Sequence, residues 1–286
     1  MLGRRGTLPF LAGPPLLWLA LFFVVPVVMI AAFSVRQGSG AVGPSDPWVP
    51  SVEHYQEVLG TPAFMRLLGL SALMALGIAG LATMLAYPVA YFLTFRAGSR
   101  APLYLILLLI PFAVSYLLRV MAWKLMLGPE GGINSLLATL GLTDDPIQLL
   151  LYSRPAVIIT LVYVWIPFAA LPIYAAMQRI DRAQLEAAAD LGAGPWARFW
   201  RITVPLSLPG ALATFFMVFI PTVGEYVTPA LVGGTDGIMY GNIILGFFTR
   251  SANWPLGSAM AMIMLTLTLI LVAVGLRAVN LRRAVA

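Results

Sequence analysis

The sequence predicts an all-α membrane protein with six transmembrane helices, and three observations predict it. Composition comes first: 60% of the 286 residues are hydrophobic and 10% are charged, whereas soluble domains carry about 25% charged residues. Second, six apolar segments reach the length of about 20 residues that a bilayer crossing needs. They are residues 14–35, 67–95, 101–127, 155–177, 206–232 and 256–276. Third, threading those segments sorts the arginines. Arg4, Arg5, Arg96, Arg100, Arg179, Arg182, Arg198, Arg201, Arg277, Arg282 and Arg283 fall on one side, and Arg36, Arg66, Arg154 and Arg250 on the other. Short cytoplasmic loops are enriched in Lys and Arg, so both termini are expected in the cytoplasm.

Residues 1–13 read as a basic cytoplasmic segment leading into the first span. That span is too long for the apolar core of a signal peptide and no convincing cleavage pattern closes it, so it is expected to be retained. Segment 67–95 is long enough to tilt. Segment 101–127 is interrupted by Arg119 and Lys124 near its outer end, where long basic side chains snorkel to the interface. Segment 206–232 contains Pro209, Pro221, Gly224 and Glu225, so its outer end is expected to be broken. Outer loops 37–66, 128–154 and 230–255 are rich in Gly, Pro and polar residues. They suit the reception of a soluble partner. The one histidine, His54, is expected to be solvated there.

Several function classes lose support at once. A P-loop needs a glycine-rich turn before its lysine, and the only lysine, Lys124, follows Val120-Met121-Ala122-Trp123. ATP used by this chain must therefore be bound by another chain. Cysteine is absent, which removes disulfides, thiolate metal sites and cysteine nucleophiles. Neither Gly-x-Ser-x-Gly nor His-Glu-x-x-His occurs, and no catalytic or metal-binding residue is assigned. The net charge of +6 does not point to nucleic acid, because the basic residues are scattered at span ends.

Charges within spans are costly and mark functional candidates. Glu225 sits in Pro221-Thr222-Val223-Gly224-Glu225-Tyr226. An acid at a helix break beside a tyrosine can meet a cationic solute through Coulomb attraction and a ring face. The competing reading pairs Glu225 with Arg119, Lys124 or a residue of a partner subunit. Trp123, Arg119 and Tyr226 complete the candidate substrate path, although aromatic residues at helical spacing are more often packing.

Between the fourth and fifth spans lies Glu186-Ala187-Ala188-Ala189-Asp190-Leu191-Gly192, followed by Ile202, Val204 and Pro205. Ala, Glu and Leu favour helix and glycine permits a sharp exit. The spacing resembles the EAA loop of ABC importer permeases, with Val204 where that family usually has Leu. The resemblance implies the type I importer fold and a permease domain over residues 14–286 in a bacterial cytoplasmic (inner) membrane. Its coupling loop, about residues 178–205, would dock on an ATPase dimer, which binds ATP and Mg, through Glu186, Ala187, Ala188, Asp190, Gly192 and Pro205. No cofactor is implied in this chain.

Further segments are Leu118-Arg119-Val120-Met121-Ala122-Trp123-Lys124, Gly131-Gly132-Ile133-Asn134, Gly224-Glu225-Tyr226-Val227-Thr228-Pro229, Gly241-Asn242-Ile243-Ile244 and Asn253-Trp254-Pro255. They resemble the spermidine/putrescine permeases, in particular the first of their two membrane subunits. The implied partners are a second, different permease subunit, the ATPase dimer, an external solute-binding protein and the lipid bilayer. Permeases for ferric iron, thiamine, aminophosphonates and opines look alike and form the alternative. A secondary transporter or membrane enzyme, needing no ATPase, is the reading from another class.

Overall fold

The computed structural model describes residues 13–38, 48–143, 145–147, 150 and 152–285, with side chains of the last helix described as far as Arg277. The expected cytoplasmic segment 1–13, with Arg4 and Arg5, lies outside the described residues except for Gly13, as does Asp144 in the second outer loop. The side chains of Arg282 and Arg283 lie outside them too. The described elements are helical, apart from one isolated antiparallel bridge between Arg36 and Pro50. The chain divides into two compact units, residues 1–67 with 243–286, and residues 68–242.

In the first unit, α1 (Gly13–Ser34) packs against α12 (Trp254–Val285), and so does the short α2 (Glu53–Gly60). Phe33 meets Trp254 with ring centres 5.9 Å apart, and the Ser34 hydroxyl lies 2.7 Å from that of Tyr55. Most apolar side chains of α1, among them Leu16, Leu17, Trp18 and Phe23, remain exposed. A helix that is apolar all round and uncovered is what a membrane span presents to lipid or to other subunits. His54 corrects its expectation. It is 4% exposed, and its Nε2 sits 3.0 Å from the carbonyl of Gly38. Glu53 and Glu57 stand 3.6 Å from its two ring nitrogens.

The second unit begins inside α3 (Pro62–Phe95) and continues through α4 (Ala101–Ala113), α5 (Tyr116–Leu127), α6 (Gly132–Thr139) and α7 (Arg154–Met177). It then runs through α8 (Arg182–Asp190), α9 (Pro195–Val223) and α10 (Val227–Val232). The short α11 (Tyr240–Thr249) follows across the boundary of the two units. Packing of α7 on α9 forms the core of the second unit, where Leu161, Ile173, Met177, Val218 and Phe219 are fully buried. The two helices approach closely because Gly210 has no side chain. A Cβ there would lie 2.5 Å from that of Ala176 and 2.7 Å from the Pro172 carbonyl oxygen. Close approach at small residues is how helices associate where lipid removes the hydrophobic drive. Thr214 adds a hydrogen bond of 3.0 Å to the Ala169 carbonyl.

Two predicted boundaries move. The interruption of segment 101–127 is not at Arg119 and Lys124, which lie within the continuous α5. It falls at Val114-Ser115, both extended, three residues beyond Pro111, and the helical stretches on either side are bent by 87°. Among the described residues five helices are therefore long and apolar enough to cross a membrane, and six crossings result only if the bent pair counts as one. The fifth helix starts at Pro195, not near residue 206, so Ile202, Val204 and Pro205 belong to α9 rather than to a loop. Its first turns widen into a π-turn at Phe199–Thr203 just before Pro205. Proline withholds the amide that an α-helical turn would pair, and such wide turns accommodate that loss. The break at the far end of α9 falls at Gly224–Tyr226, where the proline and glycine content places it.

Candidate functional site

Two clusters carry the chemistry. The first is the loop helix α8. Asp181 starts it by accepting a 3.0 Å hydrogen bond from the amide of Ala183, the usual role of an N-cap carboxylate. Gly192 ends it at φ +83°, a conformation costly for any residue with a side chain. The amides of Gly192 and Ala193 close back onto the carbonyls of Ala189 and Ala188, both at 2.9 Å, which is the Schellman closure.

No residue of α8 is buried. Glu186, Ala187, Asp190 and Gly192 are exposed and Ala188 is half-buried. Leu191 is 90% exposed and Trp196 73%. Large apolar side chains held open in this way occur where a protein or a membrane makes contact. The Nη1 of Arg198 donates to the Leu185 carbonyl at 3.3 Å, tying α8 to the first turn of α9. Pro205 is exposed and stands ten residues up α9 from Pro195, about 15 Å along the axis. The structure thus gathers Glu186 to Gly192 and separates Pro205 from them. Leu191, Trp196 and Arg198 adjoin this cluster and were not singled out from the sequence. The available signal was a leucine and a tryptophan on either side of the Gly192–Gly194 turn.

The second cluster lies where α9 breaks. One carboxylate oxygen of Glu225 accepts from the amides of Val227, at 2.8 Å, and Thr228, at 3.1 Å. The residue therefore caps α10, where the exposed amides and the helix dipole favour negative charge. The Tyr116 hydroxyl meets Thr228 Oγ1 at 2.6 Å. Asn242 holds the Tyr226 carbonyl at 2.7 Å, and the Tyr226 ring stays exposed.

Arg119 departs from the snorkelling expectation. It is 9% exposed, and its guanidinium carbon lies 4.9 Å from the Phe112 ring centre and 6.0 Å from that of Tyr116. The bend between α4 and α5 folds Phe112 back over it, which no linear reading of a single span shows. Its Nε is buried with no hydrogen-bond partner. Among the described residues no ion pair joins Glu225 to Arg119 or Lys124. Trp123 packs on Tyr163 with ring centres 5.2 Å apart. Glu225, Tyr226 and Arg119 are thus brought to one region around Tyr116 and α10, while Trp123 sits one turn further along α5.

A family model described as binding-protein-dependent transport system inner membrane component matches residues 86–285. The chain is 37% identical over 245 residues to the spermidine/putrescine transport system permease protein PotB of Escherichia coli, covering 85% of this chain and 86% of that one. It is 34% identical over 250 residues to the Haemophilus influenzae protein of the same name, covering 85% and 84%. In fold it is similar to a chain of a bacterial ABC transporter involved in the import of the acidic polysaccharide alginate. That likeness has a TM-score of 0.69 at 17% identity and covers 96% of this chain and 95% of the other. The α8 loop, the broken α9 and the surrounding spans are those of the type I ABC importer permease fold, and the chain belongs to the family of binding-protein-dependent transport system inner membrane components.

Proposed function

We propose that this chain is a membrane-spanning subunit of an ATP-driven importer of the polyamines spermidine and putrescine. The observation that carries the solute class is its likeness, over most of both chains, to spermidine/putrescine permeases. In this reading α8 faces the cytoplasm and docks on an ATPase dimer through Glu186, Ala187, Ala188, Asp190 and Gly192, with the exposed Leu191 and Trp196 completing the contact. Closure of the ATPases on ATP moves α8, and the bond from Arg198 to Leu185 passes that motion to α9. A second, different permease subunit forms the other wall of the path, and an external binding protein delivers the solute. The two permeases rock between two states, and the ligand-loaded binding protein biases them.

Glu225 supplies a weak, transient site for an ammonium group. Part of its charge is already held by the α10 amides, so a passing cation meets an anchored carboxylate and leaves easily. The Tyr226 ring offers a second, cation–π contact. The test is ATPase stimulation of the complex, reconstituted in nanodiscs with its binding protein, by spermidine and by putrescine. Stimulation by either supports the proposal. A competent complex that responds to neither, but to another solute of its binding protein, overturns the polyamine assignment.

A further inference from the structure

An apolar groove of about 600 Å³ lies along α3 and α9, walled by Gly80, Met84, Tyr91, Trp200, Leu208 and Phe215 among others. The two helices run antiparallel beside it. Tyr91 and Tyr87 meet Phe199 with ring centres 5.5 and 5.8 Å apart at the end where α9 begins. The Tyr87 hydroxyl is turned to Ser207, 2.6 Å away, and Ser207 also donates to the Thr203 carbonyl. Of the polar wall atoms, only the Thr83 hydroxyl is buried without a partner. No carboxylate lines the groove, so it offers a cationic solute no charge partner.

We propose that this groove holds an acyl chain of an anionic phospholipid, with the headgroup at the end bearing Arg201. Four observations fit that occupant. From Gly80 to Tyr91 the groove extends about 17 Å at the helical rise, close to the ~15 Å depth of one leaflet's hydrocarbon. The groove is open to its surroundings rather than enclosed, so an acyl chain can enter it sideways from the bilayer. Trp200 is 52% exposed at the rim, where amphipathic rings sit at headgroup level. Arg201 is exposed on the same turn. Basic residues at that level attract anionic headgroups.

The test uses the assembled complex in nanodiscs containing phosphatidylglycerol with a photoreactive acyl chain, with labelled peptides mapped by mass spectrometry. Labelling should concentrate several-fold on residues 80–91 and 204–215 relative to the exposed α4 face at Leu103, Ile106 and Leu107. The phosphatidylcholine analogue should label the groove several-fold less. A Cβ at Gly80 meets nothing within 4 Å, so Gly80→Leu and Ala211→Phe should fill the groove from two sides. Each should cut groove labelling several-fold and leave α4 labelling unchanged, which also verifies insertion. The proposal fails if the groove is labelled no more than α4, if both headgroups label it equally, or if the filling variants change nothing. It also fails if a photoreactive residue at Met84 cross-links to the second permease subunit instead of lipid.

Discussion

At Glu225, shape and charge can be separated experimentally. Its Oε1 caps α10, and losing such a cap costs about 1 kcal/mol. Glu225→Ala should therefore speed amide exchange at Val227 and Thr228, read by hydrogen–deuterium exchange. Glu225→Gln keeps an acceptor and removes the charge. It should leave that exchange nearly unchanged while raising the spermidine concentration needed for half-maximal ATPase stimulation. Unchanged stimulation would make the residue a cap alone. Arg119 poses the opposite question. A charge at mid-helix costs about 3 kcal/mol on insertion scales, and ring contacts return about 1–2 kcal/mol when desolvated. No carboxylate pairs with it among the described residues. Arg119→Leu should then keep or raise the thermal midpoint of the complex, and a clear fall would reveal an anionic partner from another subunit. Residue types were legible at this scale, and contacts were not. Glu225 stood out as an acid between prolines and a glycine. The burial of His54 against Gly38 and of Arg119 against Phe112 depends on a loop closure and a bend, neither of which has a local signature.

Among the elements, α8 tests how a short helix transmits force. Its end is fixed by Gly192 at φ +83°, and a side chain in that region costs about 1–2 kcal/mol. Gly192→Ala should fray the Schellman closure and lower substrate-stimulated hydrolysis, while the permease still inserts and assembles. Arg198 is the link from α8 to α9, and hydrogen bonds from charged groups contribute about 1.5–3 kcal/mol. Arg198→Ala should preserve assembly and basal ATPase activity but reduce the transport achieved per ATP, whereas Arg198→Lys should recover part of it. Wild-type coupling in Arg198→Ala would place transmission elsewhere. The helix itself was visible in the sequence because Ala, Glu and a closing Gly all favour it. Its boundary with α9 was not, since Pro195 opens a helix as readily as Pro205 interrupts one. The α4–α5 bend was misplaced for a related reason. Charges drew attention to Arg119 and Lys124, yet the backbone gives way near Pro111, where an amide is missing.

At the scale of the whole molecule, the bent pair from Gly98 to Thr139 decides the topology. If it crosses once, the chain crosses six times and α8 lies on the same side as residues 96–100. If it re-enters and returns, every later segment inverts, and Arg179, Arg182, Arg198 and Arg201 face outward. The positive-inside rule strongly disfavours the second threading, and an α8 facing away from ATP would have no ATPase to dock on. The absence of cysteine makes the alternatives separable without background. In cells carrying single substitutions, Asp145→Cys should react with a membrane-impermeant maleimide from outside. Ala183→Cys should react only after the membrane is permeabilised, and Ser99→Cys should behave like Ala183→Cys. A re-entrant pair predicts the reverse for Asp145→Cys relative to Ala183→Cys, with Ser99→Cys unchanged. That outcome would place α8 outside the cytoplasm and overturn its proposed docking on an ATPase.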